Sequence, residues 1–367
     1  MAKSYFITGA TGFVGVNILR ALLNENESNK VILLIRKSGG LSALQRMRNM
    51  LSEVYSLQKC NEYLKRIDVV EGNVTQEKFG LTEVEFHKLA QRTNIIFHSA
   101  ASIKFNLPLE EAAAINIQGT KNILEFAQLC KKYNSLEKYN HISTAYVIGR
   151  KKKVDDLSKC RDFINTYEIT KFEAESIVNK HINAGLPATI FRPSIITCNS
   201  QTGEISKNSI IYIFLMLICR GILSQLPADE ESSLNLVPIN YFIDIMLKIS
   251  RLPESNGRSF NICNRKNGQV RKMFTYVCEQ LGIHKPEYIS ISSSNLIPPR
   301  LLSQIESFIP YIEESHTFDL SETQQILKKE YYECEDNFVC ISHMIKYCIE
   351  NKLLIVKNKS RKELINY

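Results

Sequence analysis

The chain has 367 residues, 44% hydrophobic and 23% charged, with a formal net charge of +8. That is an ordinary globular balance, enough for about two domains or for one large α/β domain with a lobe attached. Much of the positive excess sits at Arg150, Lys151, Lys152 and Lys153 and in residues 352–362; with no nucleic-acid motif beside it, it reads as a solvated face and no nucleic acid is expected as a partner. No basic segment followed by an apolar stretch and a cleavage site opens the chain, and the ten cysteines form no disulfide framework, so a cytoplasmic protein with reduced thiols is expected.

The first pattern is a short apolar run, residues 5–7, then Thr8-Gly9-Ala10-Thr11-Gly12-Phe13-Val14-Gly15, then an amphipathic stretch over 13–23. Strand, glycine turn and helix are predicted. The turn lets the backbone approach a pyrophosphate, which the free N–H groups of the helix start would hold. Thr8, Gly9, Thr11, Gly12, Phe13, Val14 and Gly15 are the candidate contacts. The spacing is Gly-x-x-Gly-x-x-Gly rather than the Gly-x-Gly-x-x-Gly of many dehydrogenases.

A second strand, residues 31–35, is continuously apolar, as a strand covered on both faces is, and ends in Arg36. NAD-binding folds place an acidic residue near here to hold the ribose 2′-hydroxyl. A cation instead suits a 2′-phosphate, so NADPH is expected over NADH. Arg46, on a helix over 41–51, is the second candidate. Strands follow at 67–70, before Asn73 and Val74, and at 94–98, running into Ser99-Ala100-Ala101-Ser102, small residues that leave room for a cofactor. A long helix over 112–132 carries Asn116. A fifth strand at 139–143 is followed by Thr144, a helix covers 167–183, and a sixth strand at 188–191 ends at Arg192-Pro193-Ser194. Alternating strands and helices predict an α/β fold, a Rossmann-type doubly wound parallel sheet with ligands beyond the strand ends.

From about residue 195 the pattern loosens into short apolar pieces between prolines. Domains at 1–200 and 201–367 are expected, the second a smaller α+β substrate lobe with some segments returning to the sheet. The longest apolar run, 210–223, contains Arg220 and is too short to span a bilayer. It reads as a buried or substrate-facing helix, with peripheral membrane contact the remaining alternative. Cys334, Cys340, His343 and Cys348 alternate with apolar residues at helical period and fit a core helix, with no metal expected. Ser321 and Gln324 match a capping box opening a helix to Lys329.

Tyr167 and Lys171 stand four apart on one helix face. An ammonium beside a phenol favours the phenolate and so lowers its pKa, which suits proton transfer near neutral pH. Thr144, just past a strand, offers a hydroxyl to hold a substrate oxygen beside Tyr167. His98 and His141 end buried strands and are read as structural.

In this order, the glycine turn, Gly72-Asn73-Val74, Ala100-Ala101, Asn116 with Gly119-Thr120, Ser143-Thr144-Ala145, Tyr167 with Lys171, and Arg192-Pro193-Ser194 resemble the extended short-chain dehydrogenase/reductase superfamily over roughly residues 4–200. Residues 97–105, 142–147 and 191–196 are similar to the fatty acyl-CoA reductases and carrier-protein thioester reductases. So are the Leu34-Ile35-Arg36-Lys37 strand end with Ala43 and Arg46, and Val237-Pro238-Ile239 with Asp244.

The resemblance implies NADPH-dependent reduction of an acyl thioester, on CoA or an acyl-carrier protein, to an aldehyde or, with a second hydride, to an alcohol. Thr144 and Tyr167 would hold the developing oxyanion, Lys171 the nicotinamide ribose, and Asn116 a proton relay. Asn73, Val74, Ser99, Ala100, Ala101, Arg192, Pro193, Ser194 and Ile195 would complete the cofactor site. Asn73 stands where the family usually has Asp. The chain stops at Tyr367, short of the further C-terminal domain of long fatty acyl-CoA reductases, which favours a compact reductase. Two other readings compete. One is a nucleotide-sugar epimerase/dehydratase or hydroxysteroid dehydrogenase of the same superfamily, against which the apolar 210–223 run argues. The other is a non-catalytic NADPH-binding regulator, against which the presence of both Tyr167 and Lys171 argues.

Overall fold

A computed structural model describes residues 3–53, 55–149, 162–296, 302, 305–354 and 356. The Arg150 to Lys153 cluster and the basic tail from Lys357 onward lie outside the described residues.

In chain order the elements are β1 (Ser4–Thr8), α1 (Phe13–Glu25), β2 (Lys30–Ile35), α2 (Ala43–Ser52), α3 (Leu57–Leu64), β3 (Ile67–Glu71), α4 (Glu83–Gln91), β4 (Ile95–His98), α5 (Leu109–Ala113), α6 (Gly119–Lys132), β5 (Lys138–Ile142), α7 (Thr166–Asn183) and β6 (Ala188–Pro193). They continue with β7 (Ile195–Thr197), α8 (Ile210–Cys219), β8 (Gln225–Pro227), β9 (Ser233–Leu234), β10 (Leu236–Pro238), α9 (Ile239–Ser250), β11 (Ser259–Ile262), β12 (Gly268–Gln269), α10 (Val270–Leu281) and β13 (Glu287–Ile289). Helices Ile309–Glu313, Ser321–Leu327 and Asn337–Glu350 follow.

Seven strands form one sheet in the order β11-β6-β5-β4-β1-β2-β3. The pairings from β3 across to β6 are parallel. The order reverses between β1 and β4, which opens a crevice at their carboxyl ends, where ligands of doubly wound sheets bind. The strands are apolar along their length because helices cover both faces; Phe6, Ile7, Val31 and Leu33 are wholly buried. On one face Phe126 of α6 gathers Phe6, Phe79 and Phe86, with ring centroids 4.9, 5.3 and 5.3 Å away. Each such ring removed from water contributes about 2–3 kcal/mol.

The chain divides into two compact units: Met1–Val147 with Asn165–Arg192 and Met246–Phe260, and Ile148–Ile164 with Pro193–Ile245 and Asn261–Tyr367. The first unit holds most of the sheet and takes back a late segment. There the Ile190 amide donates to the Arg258 carbonyl at 3.0 Å, which brings β11 beside β6. In the second unit, α8 is buried nearly all round, Phe214 packing on Phe274 of α10 at 5.7 Å. Among the described residues no helix is long and apolar enough to cross a membrane. Helix Asn337–Glu350 turns Cys340, Met344 and Cys348 inward, and His343 bonds the Ser200 carbonyl through Nδ1.

Two local expectations are corrected. Ser321 is the first residue of its helix and not its cap: Leu320 takes the cap position, and Asp319 accepts from the Ser321 amide instead. The stretch expected as one helix over 112–132 is α5, a π-turn at Ala114–Gln118, and α6. The π-turn adds a residue around Asn116, which helical periodicity in the sequence does not reveal.

Candidate active site

The glycine turn is built by the absence of side chains. Gly9 has φ +69°, and a Cβ there would lie 2.6 Å from the Ala100 amide nitrogen. A Cβ on Gly15 would lie 2.2 Å from the Gly9 carbonyl oxygen. The turn therefore presses on both the end of β4 and the first turn of α1. Gly12 caps α1 without any side-chain hydrogen bond, so Phe13 and Val14 begin a helix whose amides face outward from an uncapped end. This cradle fits a pyrophosphate.

Thr8 is buried, its hydroxyl 2.7 Å from Nδ1 of His98. Ser99 donates to the Thr8 carbonyl at 2.8 Å, and the Ala100 amide to the Thr8 hydroxyl at 3.3 Å; Ala101 continues the same segment. Asn73 turns its side chain on the Thr75 amide, and the Val74 carbonyl accepts from Asn122. Both residues thus shape the turn after β3.

Two cations stand beside the turn. Arg46 donates to the Arg36 carbonyl at 2.6 Å and to the Thr11 hydroxyl at 3.1 Å. Burial, then the neighbouring Arg36, pushes the Arg46 guanidinium down from its ordinary value. Arg46, the second candidate from sequence, is thus the one tied to the glycine turn.

The other group lies at the carboxyl ends of β4 and β5. Asn165 caps α7, accepting from the Glu168 amide at 3.0 Å, which puts Tyr167 in the first helical turn. The Thr144 hydroxyl lies close enough to the Tyr167 phenol to favour its ionised form and accepts from the Tyr146 amide at 3.3 Å. One turn on, Lys171 is buried and its ammonium donates to the Ile142 carbonyl at 2.6 Å. The structure brings Thr144, Tyr167 and Lys171 together.

It corrects the expected direction of the phenol's shift. Burial pushes Tyr167 up to about 12, with the Thr144 hydrogen bond pulling the other way and Glu168 adding to the rise. Burial also pushes Lys171 down to about 8, partly offset by Glu175. Desolvation sets both directions, and Lys171 is not among the groups that act on the phenol.

Asn116 sits in the π-turn and is fully engaged. Its carbonyl oxygen accepts from the Ser102 amide at 2.8 Å; its amide donates to the Ser102 carbonyl at 3.2 Å and to the Thr170 hydroxyl at 2.9 Å. It clamps the segment after β4 onto α7. On that segment the Phe105 ring lies 5.5 Å from the Tyr167 ring, and Thr166 donates to the Leu107 carbonyl at 2.9 Å.

His98 links the two groups. Thr120 spends its hydroxyl hydrogen on the Asn116 carbonyl at 2.7 Å, so it accepts from Nε2 of His98 at 3.2 Å. His98 then accepts from Thr8 at Nδ1. Burial, then Lys171, pushes His98 down to about 3 and His141 well below its ordinary value. Burial thus keeps both imidazoles in the neutral form.

Arg192, expected at the cofactor, is turned on Glu175, its Nε 3.1 Å from both carboxylate oxygens. Pro193 ends β6, Ile195 begins β7, and the Ser194 hydroxyl between them is buried without a hydrogen-bond partner. Ser102, Thr120 and Phe105 lay in stretches singled out from sequence but carried no role there. Glu175 and Thr170 were missed, although Glu175 left a signal as a third polar residue at four-residue spacing after Tyr167 and Lys171.

The sheet order and the glycine turn define the class, an extended short-chain dehydrogenase/reductase. Residues 7–246 match the male sterility protein family of NAD-binding domains, and the chain belongs to that family. Its cofactor class is a nicotinamide dinucleotide. The chain is 29% identical over 285 residues to the non-canonical nonribosomal peptide synthetase cpsA of Aspergillus campestris, covering 73% of this chain and 27% of that protein. It is 30% identical over 303 residues to the putative fatty acyl-CoA reductase CG8306 of Drosophila melanogaster, covering 72% of this chain and 56% of that one. The chain thus spans a quarter to just over half of these relatives. Among solved structures, the terminal R domain of the myxalamid PKS-NRPS pathway superposes with a TM-score of 0.81 at 22% identity, covering 97% of this chain and 92% of that one; at that identity the likeness shows the fold.

Proposed function

We propose that this protein reduces an acyl thioester, carried on CoA or a carrier protein, with NADPH. The observation that carries the reading is the cluster of Thr144, Tyr167 and Lys171 at the strand ends where doubly wound sheets bind ligands. The names of the relatives, a fatty acyl-CoA reductase and a nonribosomal peptide synthetase, support a thioester over a sugar nucleotide. Arg36 and Arg46, adjacent cations beside the glycine turn, support a 2′-phosphate.

When bound, the reduced nicotinamide supplies hydride to the acyl carbonyl carbon. Thr144 and Tyr167 donate hydrogen bonds to the carbonyl oxygen and strengthen them as it gains charge. A phenol raised to about 12 is protonated at neutral pH, so Tyr167 enters as a donor and gives up its proton as the oxyanion forms. Lys171, beside it and fixed on the Ile142 carbonyl, offsets the phenolate left behind and offers its other N–H groups to the cofactor ribose. Collapse of the hemithioacetal releases the thiol and leaves an aldehyde; a second round gives the alcohol.

The test is NADPH oxidation with acyl-CoA, acyl-carrier protein and a nucleotide sugar offered separately. Turnover of a thioester, and not of the sugar, is expected. Turnover of the nucleotide sugar with none on any thioester would overturn the reading.

A further inference from the structure

Glu175 is 2% exposed on α7, one turn beyond Lys171 and two beyond Tyr167. Three residues spaced by four lie along one stripe of a helix. The middle one is the buried lysine, whose ammonium is fixed at the Ile142 carbonyl. The last is held from β6 by Arg192 in a forked pair, both carboxylate oxygens meeting the guanidinium. A forked pair fixes direction as well as distance. Both charges are largely out of water, where removing one partner is costly.

Charges around Lys171 come from every element packed on it. His98 on β4 and His141 on β5 are neutral. Tyr167 on α7 is a neutral phenol. Arg192 on β6 is positive and spent on Glu175. Glu168, also on α7 and buried, acts on Tyr167, and Glu175 is the carboxylate that acts on Lys171.

We propose that Glu175, locked by Arg192, is a positioning residue whose fixed carboxylate keeps the Lys171 side chain an ammonium docked at the Ile142 carbonyl. It touches no substrate and acts through Lys171. The inference rests on the assignment of Lys171 to the reactive cluster, and not on the identity of the acyl substrate. With burial already holding Lys171 at about 8, losing a nearby opposite charge moves it down by about one unit. At pH 7.5 the charged fraction then falls from about three quarters to about one quarter, roughly threefold.

The direct measurement is an NMR titration of the Lys171 side chain in the full-length protein labelled at lysine Cε, with Lys171→Met assigning the resonance. In Glu175→Gln the Lys171 midpoint is expected about one unit lower. In Glu173→Gln, which alters an exposed carboxylate on the same helix, it stays in place. Glu175→Asp restores most of the shift. If Glu175→Gln leaves a buried arginine that unfolds the chain, Glu175→Gln with Arg192→Met removes both charges of the pair, and a smaller shift in the same downward direction is expected because the two charges partly cancel at Lys171. An unchanged Lys171 midpoint in the folded variant would overturn the proposal. This readout needs no substrate, so a failed thioester assay with a shifted midpoint would sink the reaction and leave Glu175 assigned.

Discussion

The glycine turn and the Tyr167 cluster are both built at carboxyl ends of the sheet, and they are held by opposite means. The turn works because Gly9 and Gly15 have no side chain where the Ala100 amide and the Gly9 carbonyl press in. The cluster is held because its polar atoms are engaged: Thr144 on Tyr146, Lys171 on Ile142, Asn116 on Ser102 and Thr170. One region fails when an atom is added, the other when an atom is removed. His98 joins them, with Thr8 of the turn on one ring nitrogen and Thr120 of the Asn116 network on the other.

The largest effect is expected from taking one oxygen out of the cluster. Tyr167→Phe should lower kcat about 10³-fold, the weight of a positioned proton donor, with thermal stability nearly unchanged. Steady-state turnover with the best thioester checks this, and a loss under tenfold would remove Tyr167 from the chemistry. Adding one carbon to the turn should act through the fold instead. Gly15→Ala forces its Cβ against the Gly9 carbonyl and should cost about 3 kcal/mol in urea unfolding, along with nucleotide affinity; an unchanged midpoint would refute the close-packed turn.

The link between the regions titrates. Burial holds His98 at about 3 against an ordinary 6.5, so the unfolded chain takes up this proton first. Stability is fully present above about pH 6.5 and is lost as pH falls toward 3. Between pH 6.5 and 5 the loss from His98 is about 2 kcal/mol, readable as a shift in the urea midpoint, and His98→Gln should flatten that slope. A slope as steep in the variant would place the proton uptake elsewhere. The smallest effect belongs to the cations at the rim of the turn. Arg46→Ala should weaken NADPH binding about tenfold, the value of a charge-assisted contact, and leave NADH binding within about twofold. Equal losses would refute a 2′-phosphate contact.

Much of this was legible in the chain because it is local. A parallel strand covered on both faces must be apolar along its length, so Val31 to Ile35 and Ile95 to His98 announce themselves. A strand–glycine–helix turn is written in eight consecutive residues. The α7 helix was legible from residues 167–183, with Tyr167 and Lys171 at the spacing that shares a face. Arg36, Arg46, Thr144 and Asn116 were visible as candidates, because residue type and place after a predicted strand suffice to nominate them.

What stayed hidden depends on neighbours far apart in sequence. The return of β11 to the sheet needs the Ile190 and Arg258 backbones to meet. The π-turn around Asn116 is visible only once Ser102 and Thr170 arrive on either side. The capping box at Ser321 was a local pattern that Asp319 overrode. Spacing alone set a positive charge near Tyr167 and implied a lowered phenol. Burial, a property of the packed unit and not of the helix, reversed the direction and pushed Lys171 down as well. Arg192 was nominated for the cofactor, and its pairing with Glu175 appears only in the folded chain. The sequence by itself determined the parallel fold and the glycine turn and nominated Thr144, Tyr167 and Lys171, since each rests on side-chain periodicity, residue type or the absence of a side chain. Which of those groups carry charge, and what holds them, only the tertiary structure decided, because the energy of a charge depends on how much water packing removes.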